Sequence, residues 1–449
     1  MHSALSAISP LDGRYSGSVE TLNAYFSEAA LMRYRIYVEI EYLIALSHEK
    51  KIRELPALSI SQQKKLRRAY QKFDFNSAQK VKNIEAKTNH DVKAIEYYIQ
   101  QYCKKTLHPW IHFALTSEDV NNISYTLMWN HALKQKYIPM LVNIHKDLKK
   151  IAKKHKAVSM LSMTHGQPAT PTTFGKEIGV FCKRLERQIV QLKNHRLLAK
   201  LGGATGTWSA HVVAYPKINW IRFTSKFIKS IGLQPNTATT QIEPHDSTAE
   251  SFHQIVRVNS ILKDLCQDLW LYISRGLLSQ KKIAGEVGSS TMPHKINPIQ
   301  FENAEGNLGI SSALLNHLAQ KLPVSRMQRD LTDSTALRNQ GVALGYSYLS
   351  LKNILKGLSR IKIDKKKINR ELNNHWEVLA EAIQTILRKE GKMDAYEKLK
   401  DMTRGERVEP ETITRVIRSL KISDRSKKAL LGLNPESYVG KATDVVEQL

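Results

Sequence analysis

Residues 252–272, FHQIVRVNSILKDLCQDLWLY, decide the fold class, because their apolar side chains recur every three or four positions. These side chains are Phe252, Ile255, Val258, Leu262, Leu265, Leu269 and Tyr272. Such spacing places them on one stripe of an α-helix. A stripe of this length is too apolar for a surface helix on a small domain, so the sequence predicts a bundle of long helices.

Two further segments repeat the helical spacing. One has apolar residues at Phe174, Ile178, Phe181, Leu185, Ile189 and Leu192, and the other lies between Gly341 and Leu358. Short β-branched runs with a period of two are scarce. We therefore predict a mainly α fold with three domains: an N-terminal helical domain over residues 1–108, a central long-helix bundle over 109–360 and a C-terminal helical domain over 361–449.

The composition argues against several classes of protein. The sequence has no apolar run of about 18 residues and does not begin with a basic stretch followed by an apolar one, so we expect a cytoplasmic protein without a membrane segment. Cys103, Cys182 and Cys266 lie far apart and form no CxxC pair. Their spacing predicts reduced thiols, and neither a zinc site nor disulfides.

The net charge of +27, from 68 Lys and Arg against 41 Asp and Glu, has two interpretations. A nucleic-acid-binding protein would be basic, but aromatic residues interleaved with the charges, or a reading module, would then be expected. The basic stretches 64–68, 146–156 and 365–367 are instead dispersed along polar helical segments. We interpret them as solvated faces whose field steers a small anionic substrate.

Polar stretches interrupt the helical segments at four places. They are NHD at 89–91, TSEDVNN at 116–122, THGQPATPT at 164–172 and AGEVGSSTMPHKINP at 284–298. Loops on a rigid scaffold are the usual location of catalytic groups. We predict that these four stretches are loops that carry the function.

The segment 288–298, GSSTMPHKINP, has the parts of an anion-binding loop. Gly288 and the adjacent serines leave backbone N–H groups available, Lys295 supplies charge, and Asn297 supplies a directional donor. An ordinary surface loop rich in turn residues is the alternative that this composition leaves open.

The order of these residues, G-S-S-x-M-P-x-K-x-N-P, resembles the signature loop of the fumarase/aspartase superfamily. The resemblance implies a three-domain fumarase/aspartase-like fold and a role for Ser289 as the base that takes a proton from Cβ of a succinyl group. Ser290 would hold a substrate carboxylate, and Lys295, Ile296 and Asn297 would complete the contacts of the loop. A serine base needs a desolvated pocket and a nearby cation, and Lys295 suits that need.

The motif THGQPATP contains His165, which taken alone would more often be a structural residue. The leaving nitrogen of an N-succinyl elimination must be protonated, and histidine titrates in the range that such a donor needs. The motif resembles that of adenylosuccinate lyases, in which this histidine is the general acid. Glu302 resembles the acidic residue that orients it, although an exposed helical glutamate is the plain alternative.

Further motifs resemble the nucleotide-binding parts of the same family. Arg14 and Tyr15 in SPLDGRY look like phosphate contacts, and Asn89, His90 and Asp91 look like a second histidine loop near the phosphate and leaving group. A third set looks like contacts to the substrate's carboxylate, phosphate and polar groups: Thr116, Ser117, Gln241, Asn303, Arg329, Ser334, Thr335, Ala336, Leu337 and Arg338. Thr116 and Ser117 would also suit a helix N-cap.

The resemblance runs from SPLDGRY at 9–15 to YEKLKDMTRG at 396–405. It implies β-elimination of fumarate from adenylosuccinate to give AMP, and from SAICAR to give AICAR, by a homotetramer with active sites between subunits. It implies no metal and no organic cofactor. One alternative is a sister lyase such as argininosuccinate lyase, aspartase or class II fumarase. A substrate without phosphate would not need all three of Arg14, Arg329 and Arg338. The other alternative is a nucleic-acid-binding protein that kept the fold.

Overall fold

The computed structural model describes residues 4–281, 283, 285, 291–292, 294–392 and 408–449. This part of the chain is mainly helical, which confirms the predicted fold class. The helices are α1 (Ser16–Val19), α2 (Asn23–Phe26), α3 (Glu28–Ser47), α4 (Ile60–Gln71), α5 (Phe75–Thr88), α6 (Asp91–Gln100), α7 (Ser117–Ala132), α8 (Ile138–Lys154), α9 (Phe174–Asn194), α10 (Ser209–Ala214), α11 (Trp220–Ser230), α12 (Asp246–Ser274), α13 (Ile299–Lys321), α14 (Thr332–Leu337), α15 (Gln340–Arg360), α16 (Lys365–Asn373), α17 (Ala380–Lys389), α18 (Pro410–Ser419), α19 (Asp424–Leu431) and α20 (Ala442–Glu447).

Short strands pair two by two. An antiparallel hairpin joins β1 (Ser159–Thr164) to β2 (Gln167–Thr173). The other pairs are β3 (Leu198–Ala199) with β4 (Gln234–Pro235), which is parallel, and β5 (Leu278–Gln280) with β6 (Ile361–Ile363), which is antiparallel. Short segments of 3₁₀ or π-helix lie at Ala4–Ser6, Glu20–Leu22, Lys105–Trp110, Leu133–Tyr137 and Trp376–Leu379.

The three long helices predicted from apolar spacing are confirmed as α9, α12 and α15. Every residue of the predicted α9 stripe is buried, and so is every residue of the α12 stripe except the half-buried Tyr272. The prediction of four loops is wrong at two places. Most of TSEDVNN forms the first turns of α7, and THGQPATPT lies mainly in the hairpin of β1 and β2.

The chain divides into two compact units, each with its own core. The first contains the described residues up to Leu141 together with Gln188–Ser260 and Gly306–Lys352, and the second contains those of Val142–Arg187, Ile261–Glu305 and Asn353–Leu449. The division into three domains with boundaries near residues 108 and 360 remains a prediction.

In the first unit, α3 packs against α4, α6 and α7. The helix begins after Ser27, whose hydroxyl accepts a hydrogen bond from the Ala30 N–H and so satisfies one of the free donors of the first turn. Its apolar residues are buried almost all round, among them Ile36, Val38 and Ile40. A helix of this kind belongs to the interior of a domain, and any charged side chain on it needs a partner.

In the second unit, an apolar cluster joins β1 to the C-terminal helices. It includes Leu161, Leu372, Ile383, Ile413 and Ile417. Cys182 and Cys266 are buried free thiols, whereas Cys103 in the first unit is half-buried. Within the described part of the chain, none of the helices combines the length and the hydropathy that crossing a membrane requires.

Candidate active site

A cavity of about 300 Å³ opens in the first unit. Five separate parts of the sequence form its wall: α3, the junction of α5 and α6, the start of α7, the segment around Gln241, and the segment that contains α14. The predicted site residues that line it are His90, Asp91, Thr116, Ser117, Gln241, Arg329, Ser334, Leu337 and Arg338. The other lining residues are Arg35, Glu118, Asn121, Tyr125, Leu331 and Asp333.

The junction of α5 and α6 presents His90 to the cavity. Asn89 ends α5 in the left-handed region at φ 50°, which turns the chain sharply, and His90 is the N-cap of α6. The Nδ1 atom of His90 accepts a hydrogen bond from the Lys93 N–H at 3.1 Å. In the neutral ring the proton therefore lies on Nε2, which leaves a donor for a ligand.

Asp91, the next residue, is held by Arg35 of α3. Nη2 of Arg35 donates to Oδ2 of Asp91 at 2.7 Å, and Nε of Arg35 donates to Oδ1 of Asn121 at 2.9 Å. Burial acts to raise the pKa of Asp91, but the Arg35 guanidinium and the Val92 N–H outweigh it, and the pKa lies below its ordinary value. Asp91 is thus a fixed anion, and Arg35 is largely neutralised.

The start of α7 gives the cavity its second helix N-terminus. The Thr116 N–H donates to Oδ2 of Asp119 at 2.9 Å, which is one half of a capping box. Thr116 and Ser117 are half-buried. The N–H groups of a first helical turn and the positive end of the helix dipole both favour an anion at this place.

Asp119 anchors this helix end to the segment after β3. Its carboxylate accepts from the N–H groups of Gly202 at 3.0 Å and Gly203 at 3.1 Å, and it lies 2.8 Å from Nζ of Lys200. Both charged side chains are fully buried. A buried ion pair is stable only when most of its remaining hydrogen-bonding groups also have partners. Here the N–H groups of Gly202 and Gly203 are such partners for Asp119.

Arg329 links the wall of the cavity to α7. Its Nη2 lies 3.0 Å from Oε2 of Glu118, and its Nη1 donates to Oε1 of Gln241 at 3.1 Å. The amide nitrogen of Gln241 donates in turn to the Ala204 carbonyl at 3.0 Å, which fixes the orientation of the amide. Nε of Arg329 is buried, lies 3.9 Å from Oδ2 of Asp333, and makes no hydrogen bond with the described residues.

Glu118 is the buried acid of the cavity, with 3 % of its surface exposed. Burial raises its pKa to about 7, although the charges of Arg329 and Lys200 act in the opposite direction. A carboxyl group with this pKa changes its protonation near neutral pH. Such groups are frequent at functional sites.

The rest of the α14 segment has unequal access to the cavity. Ser334 and Leu337 line it, and Arg338 lies at its edge, about half exposed and 3.4 Å from Oε2 of Glu28. Thr335 is exposed and Ala336 is half-buried. The cavity is not lined by three further predicted contacts of the first unit that the structure describes, namely Arg14, Tyr15 and Asn89. Arg14 and Asn89 are exposed, and Tyr15 is half-buried.

His165 lies in the second unit, exposed at the tip of the hairpin formed by β1 and β2. It forms the two-residue turn with Gly166, and both have positive φ angles, 55° and 73°. This combination is the type I′ turn that matches the twist of paired strands. A non-glycine residue in the left-handed region is uncommon, and such strain is concentrated at functional sites.

The described part of the signature loop also lies in the second unit. Lys295 is exposed, Ile296 accepts a hydrogen bond from Gln280 through its carbonyl at 3.2 Å, and Asn297 is half-buried. Ser289 and Ser290, the predicted base and carboxylate ligand, lie outside the described residues.

Glu302 and Asn303 lie near the start of α13, in the part of this helix that belongs to the second unit. Oε1 of Glu302 accepts from the Trp270 indole N–H at 3.0 Å, and Asn303 accepts from the Asn353 amide at 2.8 Å. Among the described residues, the hydrogen bond of Glu302 thus comes from Trp270 and not from His165.

Sequence reasoning missed several residues of the cavity. Arg35 had a recognisable signal, since a cation within the apolar run of α3 requires a buried partner. Glu118 and Asn121 lie one helical turn apart at the start of α7, inside the quoted TSEDVNN motif. Tyr125 and Asp333 carried no signal, because each becomes a wall residue only through contacts between distant segments.

The cavity suits a ligand that carries an anionic group and hydrogen-bond acceptors. Arginine, serine and threonine side chains and two helix N-termini line it, while the nearby carboxylates are already paired with Arg35 and Arg329. No group of three or more His, Cys, Asp or Glu residues with the geometry of a metal site occurs among the residues that the structure describes.

Comparison with known proteins gives matches along almost the whole chain. The family model described as "Lyase" matches residues 13–310, and the model described as "Adenylosuccinate lyase C-terminal" matches residues 325–439. Adenylosuccinate lyase of Legionella pneumophila is 49% identical over 99% of this chain and 98% of its own length. The Escherichia coli K12 adenylosuccinate lyase is 45% identical over 100% and 99%, and that of Dictyostelium discoideum is 47% identical over 98% and 97%.

Solved structures share the fold. The 3-carboxy-cis,cis-muconate lactonizing enzyme from Pseudomonas putida matches with a TM-score of 0.74 at 20% identity, over 96% of both chains. A fumarate lyase from Mesorhizobium sp. BNC1 matches with a TM-score of 0.75 at 15% identity, over 96% of this chain and 97% of that one. The chain therefore belongs to the adenylosuccinate lyase family of the fumarase/aspartase superfamily.

Proposed function

We propose that this enzyme releases fumarate from adenylosuccinate to give AMP, and from SAICAR to give AICAR, as a cytoplasmic lyase of purine nucleotide synthesis. The observation that carries the proposal is the convergence of predicted substrate contacts on one cavity. His90, Ser117, Gln241, Arg329 and Ser334 come from distant motifs and line the same space. Full-length identity of 45–49% to bacterial adenylosuccinate lyases supports the same activity.

The reaction needs a base and an acid on opposite sides of the bond that breaks. Ser289 takes the proton from Cβ of the succinyl group, which leaves a carbanion stabilised as an aci-carboxylate by N–H donors and a nearby cation. The C–N bond then breaks, and His165 protonates the leaving nitrogen. Lys295 and Asn297 hold the succinyl carboxylates. In the assembled homotetramer Glu302, which accepts from Trp270 within its own chain, orients His165.

Nucleotide recognition distinguishes this proposal from the sister lyases. The phosphate and carboxylates of an N-succinyl nucleotide call for more cationic contacts than argininosuccinate, aspartate or malate does. Arg14, Arg329 and Arg338 are the arginines that we assign to these anions, with Thr116 and Ser117 at the α7 N-terminus. A nucleic-acid-binding role would need aromatic or base-reading contacts within the basic surface.

The active site is assembled from several copies of the chain in a homotetramer. His165 stands exposed at the tip of a hairpin, at a positive φ angle, which suits a residue that projects into a neighbouring subunit. In this arrangement the His165 turn and the Ser289 loop of one site come from different subunits.

A spectrophotometric assay of the purified protein tests the proposed function. Adenylosuccinate and SAICAR should each be consumed, with one fumarate formed per AMP or AICAR. Argininosuccinate, aspartate and malate, supplied at equal concentration, should give no fumarate. Turnover of one of these three in place of the nucleotides would assign the chain to a sister activity.

A further inference from the structure

Glu118 is a carboxylate in the wall of the cavity to which the mechanism gives no role. It is buried, and its Oε2 lies 3.0 Å from Nη2 of Arg329. The charged groups that face it are Arg329 from the segment before α14, Asp333 of α14, Lys200 after β3 and Asp119 of its own helix. Lys200 is already paired with Asp119 at 2.8 Å, so Arg329 is the cation that compensates Glu118.

Arg329 can take an additional acceptor. Its Nη1 donates to a neutral amide, that of Gln241. Its buried Nε–H lies 3.9 Å from Oδ2 of Asp333 and makes no hydrogen bond with the described part of the chain. The guanidinium lines the cavity, with 15% of its side chain exposed. A ligand phosphate or carboxylate that reaches it would be placed beside the Glu118 carboxylate.

A further anion on a guanidinium that already faces Glu118 and Asp333 is costly in a buried wall, because each anion disfavours the charged form of the others. Glu118 can relieve this repulsion by becoming a neutral acid. Burial already raises its pKa to about 7, so protonation near neutral pH requires little free energy.

We propose that Glu118 takes up a proton from solvent when an anionic group of the substrate binds Arg329, and stays in the cavity wall as a neutral acid that can donate a hydrogen bond. This inference rests on the proposed function, since that function makes Arg329 a ligand for an anion. Substrate binding is then coupled to pH through a residue that does not take part in the elimination.

The coupling has a defined pH window. Above pH 7 the Glu118 carboxylate is ionised in the free enzyme, so binding must draw a proton from solvent, and the affinity for the anion falls by up to about tenfold per pH unit. Between pH 7.5 and 9 this slope does not come from the ligand, because a phosphate monoester has its second pKa near 6 and carboxylates ionise well below that.

Calorimetry with AMP and with fumarate tests the proposal without turnover. Each ligand is titrated at pH 8 into wild-type protein in two buffers of different ionisation enthalpy. The difference between the two measured binding enthalpies gives the number of protons taken up per site. The ligand that Arg329 holds should take up close to one proton per site. Glu118→Gln should abolish the uptake and flatten the pH dependence of affinity. The matched Glu28→Gln removes an exposed carboxylate that lies beside Arg338 at the cavity edge, and it should keep both.

Several outcomes would overturn the proposal. They are binding of both ligands without proton uptake, uptake that persists in Glu118→Gln, and uptake that is lost in Glu28→Gln. If Glu118→Gln fails to fold, the proposal is tested by infrared difference spectra of the wild-type protein with and without ligand. A band of a protonated carboxyl group must then appear when the ligand binds. Failure of the proposed function would be recognised differently, because the enzyme would then not consume adenylosuccinate. In that case this inference would also be refuted.

Discussion

Arg329 and His165 are two residues whose roles depend on different physical properties. Arg329 is held by Glu118 and Gln241 inside the cavity, so its direction is fixed before a ligand arrives. His165 is exposed at the tip of its hairpin and is constrained mainly by the turn itself. Replacing His165 should therefore change chemistry far more than stability.

His165→Asn provides this test, because asparagine tolerates the left-handed region but is no general acid at neutral pH. We expect kcat for adenylosuccinate to fall at least about 100-fold, with a melting temperature within about 1 °C of wild type, since surface substitutions change stability little. Steady-state kinetics and thermal melting measure the two effects. Retention of kcat within tenfold would remove His165 from the role of acid.

The residues that could be predicted from sequence are those that belong to short, ordered motifs. The motif pattern indicated the adenylosuccinate lyase family, and this prediction is confirmed by the family models and relatives. The pairing of Glu118 with Arg329 could not be predicted, because it joins segments far apart in sequence. The sequence around Glu118 and around Arg329 also does not indicate the burial that raises the pKa of Glu118.

Helix ends are the elements that supply much of the cavity. α6 and α7 both point their N-termini at it, and Asp119 fixes the start of α7 to the segment after β3. The long helices were predictable because one apolar stripe specifies both the period and the buried face. The hairpin of β1 and β2 was not, because β2 contains Pro168 and Pro171 and its strand conformation depends on pairing with β1.

Asp119→Asn tests the anchoring of α7. It leaves the buried Lys200 ammonium without its anion, and the loss of one partner of a buried pair costs about 3 to 5 kcal/mol. Urea titration at fixed protein concentration should show a destabilisation of this size. The control is Glu85→Gln, which removes the exposed pair with Lys82 and should cost less than about 1 kcal/mol. Equal small effects of both substitutions would mean that the Asp119 pair does not hold α7.

At the scale of the whole molecule, the charge of +27 is the feature that the motifs leave unexplained. A positive field speeds the encounter with an anionic nucleotide but does not act on the chemical step. Screening by salt should weaken the encounter because the Debye length falls from about 30 Å at 0.01 M to about 8 Å at 0.15 M.

Raising the salt concentration over this range should therefore lower kcat/KM for adenylosuccinate severalfold and leave kcat within about twofold. Initial rates at low and at saturating substrate measure the two parameters. Binding of random duplex DNA, followed by fluorescence anisotropy, should disappear at physiological ionic strength. Tight, sequence-selective binding at that salt concentration would favour a nucleic-acid partner.

We propose a fumarate-releasing lyase whose acid, His165, and base, Ser289, meet at a site shared between subunits. His165→Ala and Ser289→Ala should each be inactive. When the two proteins are denatured, mixed equally and reassembled, about one quarter of the sites receive an intact His165 beside an intact Ser289 by symmetry counting. Fumarate release from adenylosuccinate should then reappear at about one quarter of the wild-type rate, while either variant reassembled alone stays inactive. Mixed tetramers, verified by native mass spectrometry, that release no fumarate would contradict the shared site.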